Sequence, residues 1–250
     1  MSANREAKIG TDSSGLAIEI IGLSKAFGRT QVLRRLDLSV PWGQVLTILG
    51  PNGSGKTTLI KILATLTKPD DGLVRACGFD LVREGQSVRR TIGVVTHDTL
   101  LYNNLTGYEN LRFYSQMFGL DNVDSRIEVV TKQMGLTARL HQRVTTLSHG
   151  LRKRFSIARA LLHDPIILLM DEPETGLDQE ALSFLDDIIS GASFPNRTVV
   201  MTTHNLERGL KLGHRVAILS DGIVICQDSV DQSKASAIRH TYLRYVGQDR

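Results

Sequence analysis

Eight consecutive residues, Gly50-Pro51-Asn52-Gly53-Ser54-Gly55-Lys56-Thr57, satisfy the pattern G-x-x-x-x-G-K-[ST] in full. Residue types at these places suit a phosphate. Glycines let the main chain wrap closely, so successive N–H groups converge on a β-phosphate. A helix starting at the end of the loop adds the partial positive charge of its N-terminus. Lys56 brings a full charge to the β/γ oxygens, and the Thr57 hydroxyl is a hard ligand for Mg²⁺. The competing reading is a chance glycine-rich turn ahead of a helix. The flanks decide against it: Val45–Leu49 is a continuous apolar strand and Thr57–Leu66 has helical spacing. By itself the loop specifies a nucleoside triphosphate and no particular reaction.

Three further constellations narrow the chemistry. Ile166–Met170 is an apolar strand run that ends in Asp171-Glu172. A carboxylate at such a strand end lies beside the phosphate loop and can hold Mg²⁺, the part expected of Asp171, while Glu172 one step on can orient and activate an attacking water. A lone Asp-Glu would be only an acidic strand exit; the loop upstream favours the functional reading. Leu147-Ser148-His149-Gly150-Leu151 opens a basic amphipathic helix through Leu162. The Ser148 hydroxyl and Gly150 backbone at that helix start are either an ordinary serine cap or a second anion site. The second option makes sense if two chains pair head to tail and each lends this turn to the other's nucleotide. Thr202-Thr203-His204 ends another strand, where the imidazole is either a satisfied polar residue or a contact to a γ-phosphate.

The elements that must position these groups alternate between strand and helix. Ala17–Leu23 and Val32–Val40 read as strands, Val45–Leu49 as a buried strand, and Ile92–Thr96 as another. Leu111, Tyr114 and Phe118, then Ile127, Val130 and Met134, recur at helical spacing. Leu182–Ile189 is helical, Thr198–Thr202 a strand, and Val216–Leu219 with Ile223–Cys226 a hairpin about Asp221-Gly222. Strand–loop–helix units of this kind build an α/β fold with a parallel sheet, here interrupted by a helical insertion of about 60 residues.

Composition is ordinary for a globular chain, with 41% hydrophobic and 22% charged residues. The formal charge of +4 is mild, and no dense Lys/Arg block interleaved with aromatics points to nucleic acid. Cys77 and Cys226 have no metal-ligand spacing and cannot build a disulfide framework. Met1–Gly15 is polar and charged, reads as a loose tail, and lacks the apolar core of a signal peptide. No apolar run approaches the ~18 residues of a membrane span, so a membrane role requires a partner.

Taken in order, Gly50–Thr58 (with Thr58 closing the loop), Leu147–Leu151, Met170–Glu172 with Pro173, Gly176-Leu177-Asp178, and His204 resemble the Walker A, signature, Walker B, D-loop and switch-histidine motifs of ABC transporter ATP-binding subunits. Phe27 stands where that family has its adenine-stacking aromatic, although an isolated Phe would by default be core packing. The resemblance covers about residues 17–227. It implies a P-loop α/β fold with an antiparallel N-terminal part, a tail over 1–16, an ATPase domain over 17–230 with a helical subdomain near 98–163, and a C-terminal extension over 231–250. It implies ATP and Mg²⁺ as ligands, Glu172, His204 and Lys56 as catalytic groups, and Asp178 and His97 among the nucleotide contacts. A head-to-tail homodimer, an integral membrane permease as partner, and a peripheral place on the cytoplasmic face of the membrane follow from the same resemblance; nucleic acid is not expected.

The chain departs from the family pattern at two places. His97 stands where Gln is usual, and the signature carries His149 for Gly and Leu151 for Gln. A protonated imidazole at position 97 would repel Mg²⁺. His97 together with Leu101-Tyr102, Leu105-Thr106 and Glu109–Tyr114 resembles the CcmA-type haem-exporter subunits of cytochrome c biogenesis. The alternatives are an exporter of drugs, lipids or polysaccharide and, in another class, a soluble ATP-gated clamp on ribosomes or DNA. Clamps of that class usually carry two cassettes, long inserts or basic arms, none of which is evident.

Overall fold

A computed structural model describes residues 15–191 and 197–246. The tail expected over residues 1–16 lies, apart from Gly15 and Leu16, outside the described residues. Strands β1 (Leu16–Phe27), β2 (Thr30–Pro41), β4 (Asp71–Ala76) and β5 (Phe79–Asp80) form an antiparallel sheet in the order β2-β1-β4-β5. The larger sheet has the order β10-β9-β3-β8-β7-β6, from β3 (Val45–Leu49), β6 (Ile92–Val95), β7 (Ile167–Asp171), β8 (Thr198–Thr203), β9 (Arg215–Ser220) and β10 (Ile223–Ser229). Its pairings are parallel except for β9–β10, whose tight turn places Asp221 and Gly222 at φ 49° and 78°.

The apolar runs of β3, β7 and β8 follow from burial on both faces. Along β7, Ile167 and Leu169 face the layer formed by the antiparallel sheet and helix α1 (Lys56–Leu63), with α2 (Gly85–Thr91) beside it. Leu168 and Met170 face the opposite layer, where α3 (Gly107–Met117), α4 (Val123–Gln133), α5 (His149–Leu161) and α6 (Gln179–Ile189) pack. A third, smaller cluster joins Leu49, Val216 and Ile218 to α7 (Leu206–Leu212) and α8 (Gln232–Val246). The α/β architecture with an antiparallel N-terminal part agrees with the sequence expectation.

Element ends differ from that expectation for local reasons. Helix α1 stops at Leu63 instead of Leu66 because Thr65 turns to φ 60°, and the Leu66 and Thr67 N–H groups bond back to Lys61 O. Strand β1 runs on to Phe27 because its pairing with β2 continues, through bulges, to Phe27 opposite Thr30. Helix α5 starts at His149, two residues before the apolar spacing shows it, since Ser148 caps it.

Candidate nucleotide site

The main chain leaves the sheet at the end of β3, its central strand, and wraps into α1. Gly55 is the residue before the helix and sits at φ 107°; a Cβ there would stand 2.7 Å from Leu33 Cδ2, so only glycine fits. Lys56 Nζ donates to Gly50 O and Pro51 O, both at 2.8 Å, and closes the loop on itself. Burial pulls the Lys56 pKa below the ordinary lysine value, while the nearby charges of Glu172 and Asp171 act the other way. Ser54 Oγ is buried and has no hydrogen-bond partner, and α1 has no acidic residue in its first turn. An orphan hydroxyl, a lysine and an unneutralised helix start fit a polyphosphate.

Across the loop, β7 and β8 are in parallel register with Asp171 beside Thr202. That register lets one hydroxyl serve both carboxylate residues: Thr202 Oγ1 donates to Asp171 Oδ1 at 2.7 Å and accepts from the Glu172 N–H at 3.0 Å. Glu172 is held at φ 43°, in the left-handed region, which is strained for a residue with a Cβ. Its carboxylate comes within 3.6 Å of His204 Nδ1. One hollow of about 360 Å³ is lined by Asn52, Gly53, Gly55, Lys56, Thr57 and Glu172, among others. A second, of about 470 Å³, is lined by Gly50, Asn52, Glu172, His204 and Tyr242, among others. The Thr57 hydroxyl and the Asp171 carboxylate are hard oxygen donors, a set suited to Mg²⁺; no group of three or more metal-binding His, Cys, Asp or Glu occurs among the described residues.

The remaining predicted residues lie elsewhere. Phe27 is 53% exposed at the end of β1, with Lys25 Nζ 5.3 Å from its ring centre, so it is not core packing. His97 is exposed just past β6. Ser148 and Gly150 line neither hollow of their own chain. Ser148 Oγ caps α5 by accepting from Leu151 N at 3.3 Å. Gly150 lies against Asp178, and the His149 ring fills the space where a Cβ on Gly176 would stand. Arg154, nearly buried on α5, reaches Asp178 at 3.5 Å and Glu180 at 3.4 Å, so the Ser148 turn and the Gly176–Asp178 loop form one unit. Sequence reasoning missed Thr202 and Thr203 as functional side chains, as well as Glu174, which accepts from the Thr203 hydroxyl. The one signal for them was a pair of threonines directly before His204.

Strand-end carboxylates facing a lysine-closed phosphate loop define a nucleoside triphosphate hydrolase. Residues 33–175 match the ABC transporter family. The chain is 36% identical over 225 residues to the uncharacterized ABC transporter ATP-binding protein YdbJ of Bacillus subtilis (strain 168), spanning 88% of this chain and 73% of that protein. It is 36% identical over 222 residues to the daunorubicin/doxorubicin resistance ATP-binding protein DrrA of Streptomyces peucetius, with 88% and 67% covered. It is 33% identical over 235 residues to the Nod factor export ATP-binding protein I of Paraburkholderia xenovorans (strain LB400), with 93% and 77% covered. Among solved structures it is similar, at TM-score 0.78 and 26% identity over 86% of this chain and 99% of the other, to an ATP-binding cassette captured as a dimer after hydrolysis with ADP and Pi. The chain belongs to the ABC transporter ATP-binding family and is an ATPase.

Proposed function

We propose that this ATPase powers an exporter of drugs, lipids or polysaccharide through a separate membrane permease. For ATP hydrolysis the carrying observation is the convergence of the Lys56 loop, Asp171, Glu172 and His204 at the ends of neighbouring strands. Lys56 and the loop amides hold the phosphates, Glu172 orients and deprotonates the attacking water, and His204 steadies the γ-phosphate. Thr57 and Asp171 would hold Mg²⁺, which when bound supplies Lewis-acid charge compensation on the phosphate oxygens. Ser148 and Gly150, which line neither hollow of their own chain, are read as donors to the nucleotide of a head-to-tail partner copy, with Asp178 read as part of the same interface. Phe27, exposed at the end of β1, is read as a face for adenine.

The cargo class rests on the relatives, which carry drug-resistance and Nod factor export names. They favour exporters over haem handling. The segment that resembles haem exporters has a local structural duty: Thr106 and Glu109 form a capping box at the start of α3, and buried Asn110 bonds Tyr102 and Thr106. No helix among the described residues is long and apolar enough to cross a membrane; a permease partner is part of this reading. A groove of about 560 Å³ lined by Leu66, Leu100, Met117, Phe118, Arg89 and Arg90, among others, offers a surface for it, consistent with a peripheral place at the membrane. Deleting the gene should raise cellular accumulation of amphipathic drugs while leaving covalently bound haem unchanged. Loss of haem-stained cytochrome c with unaltered drug accumulation would reverse the cargo assignment.

A further inference from the structure

Helix α8 is docked on the turn that carries His204. Ile238 and Tyr242, 2% and 8% exposed, pack with Leu49, Val216 and Ile218. Arg239 clamps α8 to α7 through a two-pronged ion pair with Glu207, at 2.9 and 2.8 Å. The Tyr242 hydroxyl donates to His204 O at 3.0 Å, and Tyr242 and Val246 line the hollow shared by Glu172 and His204.

His204 needs such support. Its side chain is 61% exposed, and Nδ1 is 3.6 Å from Glu172. Helix α7 begins only after Asn205, whose carbonyl takes the Gly209 N–H, so His204 O falls outside the helical ladder. On the strand side the same turn is fixed because Thr203 Oγ1 donates to Glu174 and accepts from the Asn205 N–H at 3.0 Å. The backbone carrying the imidazole is therefore held at two points, Thr203 and the His204 carbonyl, and α8 supplies the second.

We propose that Tyr242 is a positioning residue for ATP hydrolysis: its hydroxyl fixes the His204 peptide, and with it the imidazole, over the Glu172 side of the nucleotide. This rests on the reading that His204 contacts the γ-phosphate. Without the hydroxyl the peptide after His204 can rotate and the ring samples positions away from the reacting phosphoryl, which lowers turnover more than nucleotide affinity.

Tyr242→Phe keeps the ring in its apolar slot and removes only the donor. In the purified full chain, kcat should fall about three- to tenfold, with KM for ATP changed by no more than about twofold and the thermal midpoint nearly unchanged. Placed on His204→Ala, the same substitution should cause no further loss. Arg239→Gln, which loosens the clamp, should lower kcat in the same direction by less, and Tyr245→Phe on the same helix should leave it unaltered. Parental kcat in Tyr242→Phe, or an equal fractional loss in the His204→Ala background, overturns the proposal. Parental turnover in His204→Ala itself would instead sink the role given to the imidazole.

Discussion

Thr202 is the point at which both strand-end carboxylates can be disturbed without touching either. Thr202→Val preserves shape in a fully buried position and removes the hydroxyl that bridges Asp171 Oδ1 and the Glu172 N–H. A hydrogen bond to a charged group contributes about 1.5–3 kcal/mol, and a buried donor left unpaired costs about 1–3 kcal/mol. Asp171 is only 5% exposed, so water cannot readily replace the lost donor. The Glu172 N–H bond to Thr202 is only partly buried, which discounts the second contribution. The two effects together place the loss of folding stability at about 2–4 kcal/mol. Glu172 also loses the contact that holds it in its left-handed conformation, so turnover should fall by about ten- to thirtyfold as its carboxylate drifts from the water position. Urea unfolding followed through Trp42 fluorescence gives the first quantity, and steady-state phosphate release under stabilising conditions gives the second. Thr202→Ser, which restores the hydroxyl, should recover most of both. A valine variant with parental kcat, or a serine variant as slow as valine, would refute the view that this hydroxyl organises the catalytic carboxylates.

Three other outcomes follow from the same geometry. Glu172→Gln should lower hydrolysis by about two orders of magnitude or more while retaining ATP binding; near-parental turnover would remove Glu172 from the chemistry. Phe27→Ala should weaken ATP binding by about five- to tenfold through loss of the stacking face, with little change in stability because the ring is exposed; equal affinities by fluorescent-nucleotide titration would return Phe27 to a surface role. Desolvation pushes the buried Cys77 thiol up to about 11 from its ordinary 9.0, so the unfolded chain ionises first and stability present below pH 9 is lost as pH rises through 11. Between those limits the parent should lose about 2 kcal/mol more than Cys77→Ala, and parallel stability curves would refute the burial argument.

Elements buried on both faces, such as Val45–Leu49 and Ile167–Asp171, were legible because a parallel central strand must be apolar throughout. The phosphate loop was legible because its geometry admits few residue types, as Gly55 at φ 107° shows. Strand β4 escaped notice because only Val74 and Ala76 are buried in a run containing Asp71, Gly72 and Arg75. Helix α8 was passed over as an extension: its anchors Ile238 and Tyr242 are separated by His240 and flanked by basic residues, so its apolar stripe is narrow. The parts played by Thr202, Thr203 and Tyr242 depend on which strands are neighbours, and no local pattern encodes that. Adjacency of β7 and β8 turns two unremarkable threonines into the clips of the site.

The central position of β3 also governs when the protein can first work. Both of its partners in the sheet, β8 and β9, are made about 150 residues after it, which at roughly 5–20 residues per second is on the order of ten to thirty seconds of translation. Throughout that interval the strand that launches the Lys56 loop has both edges unpaired, although its Leu46 and Ile48 face can already pack on β1, β2 and α1. The phosphate loop therefore gains its settled framework only once β8 and β9 have emerged.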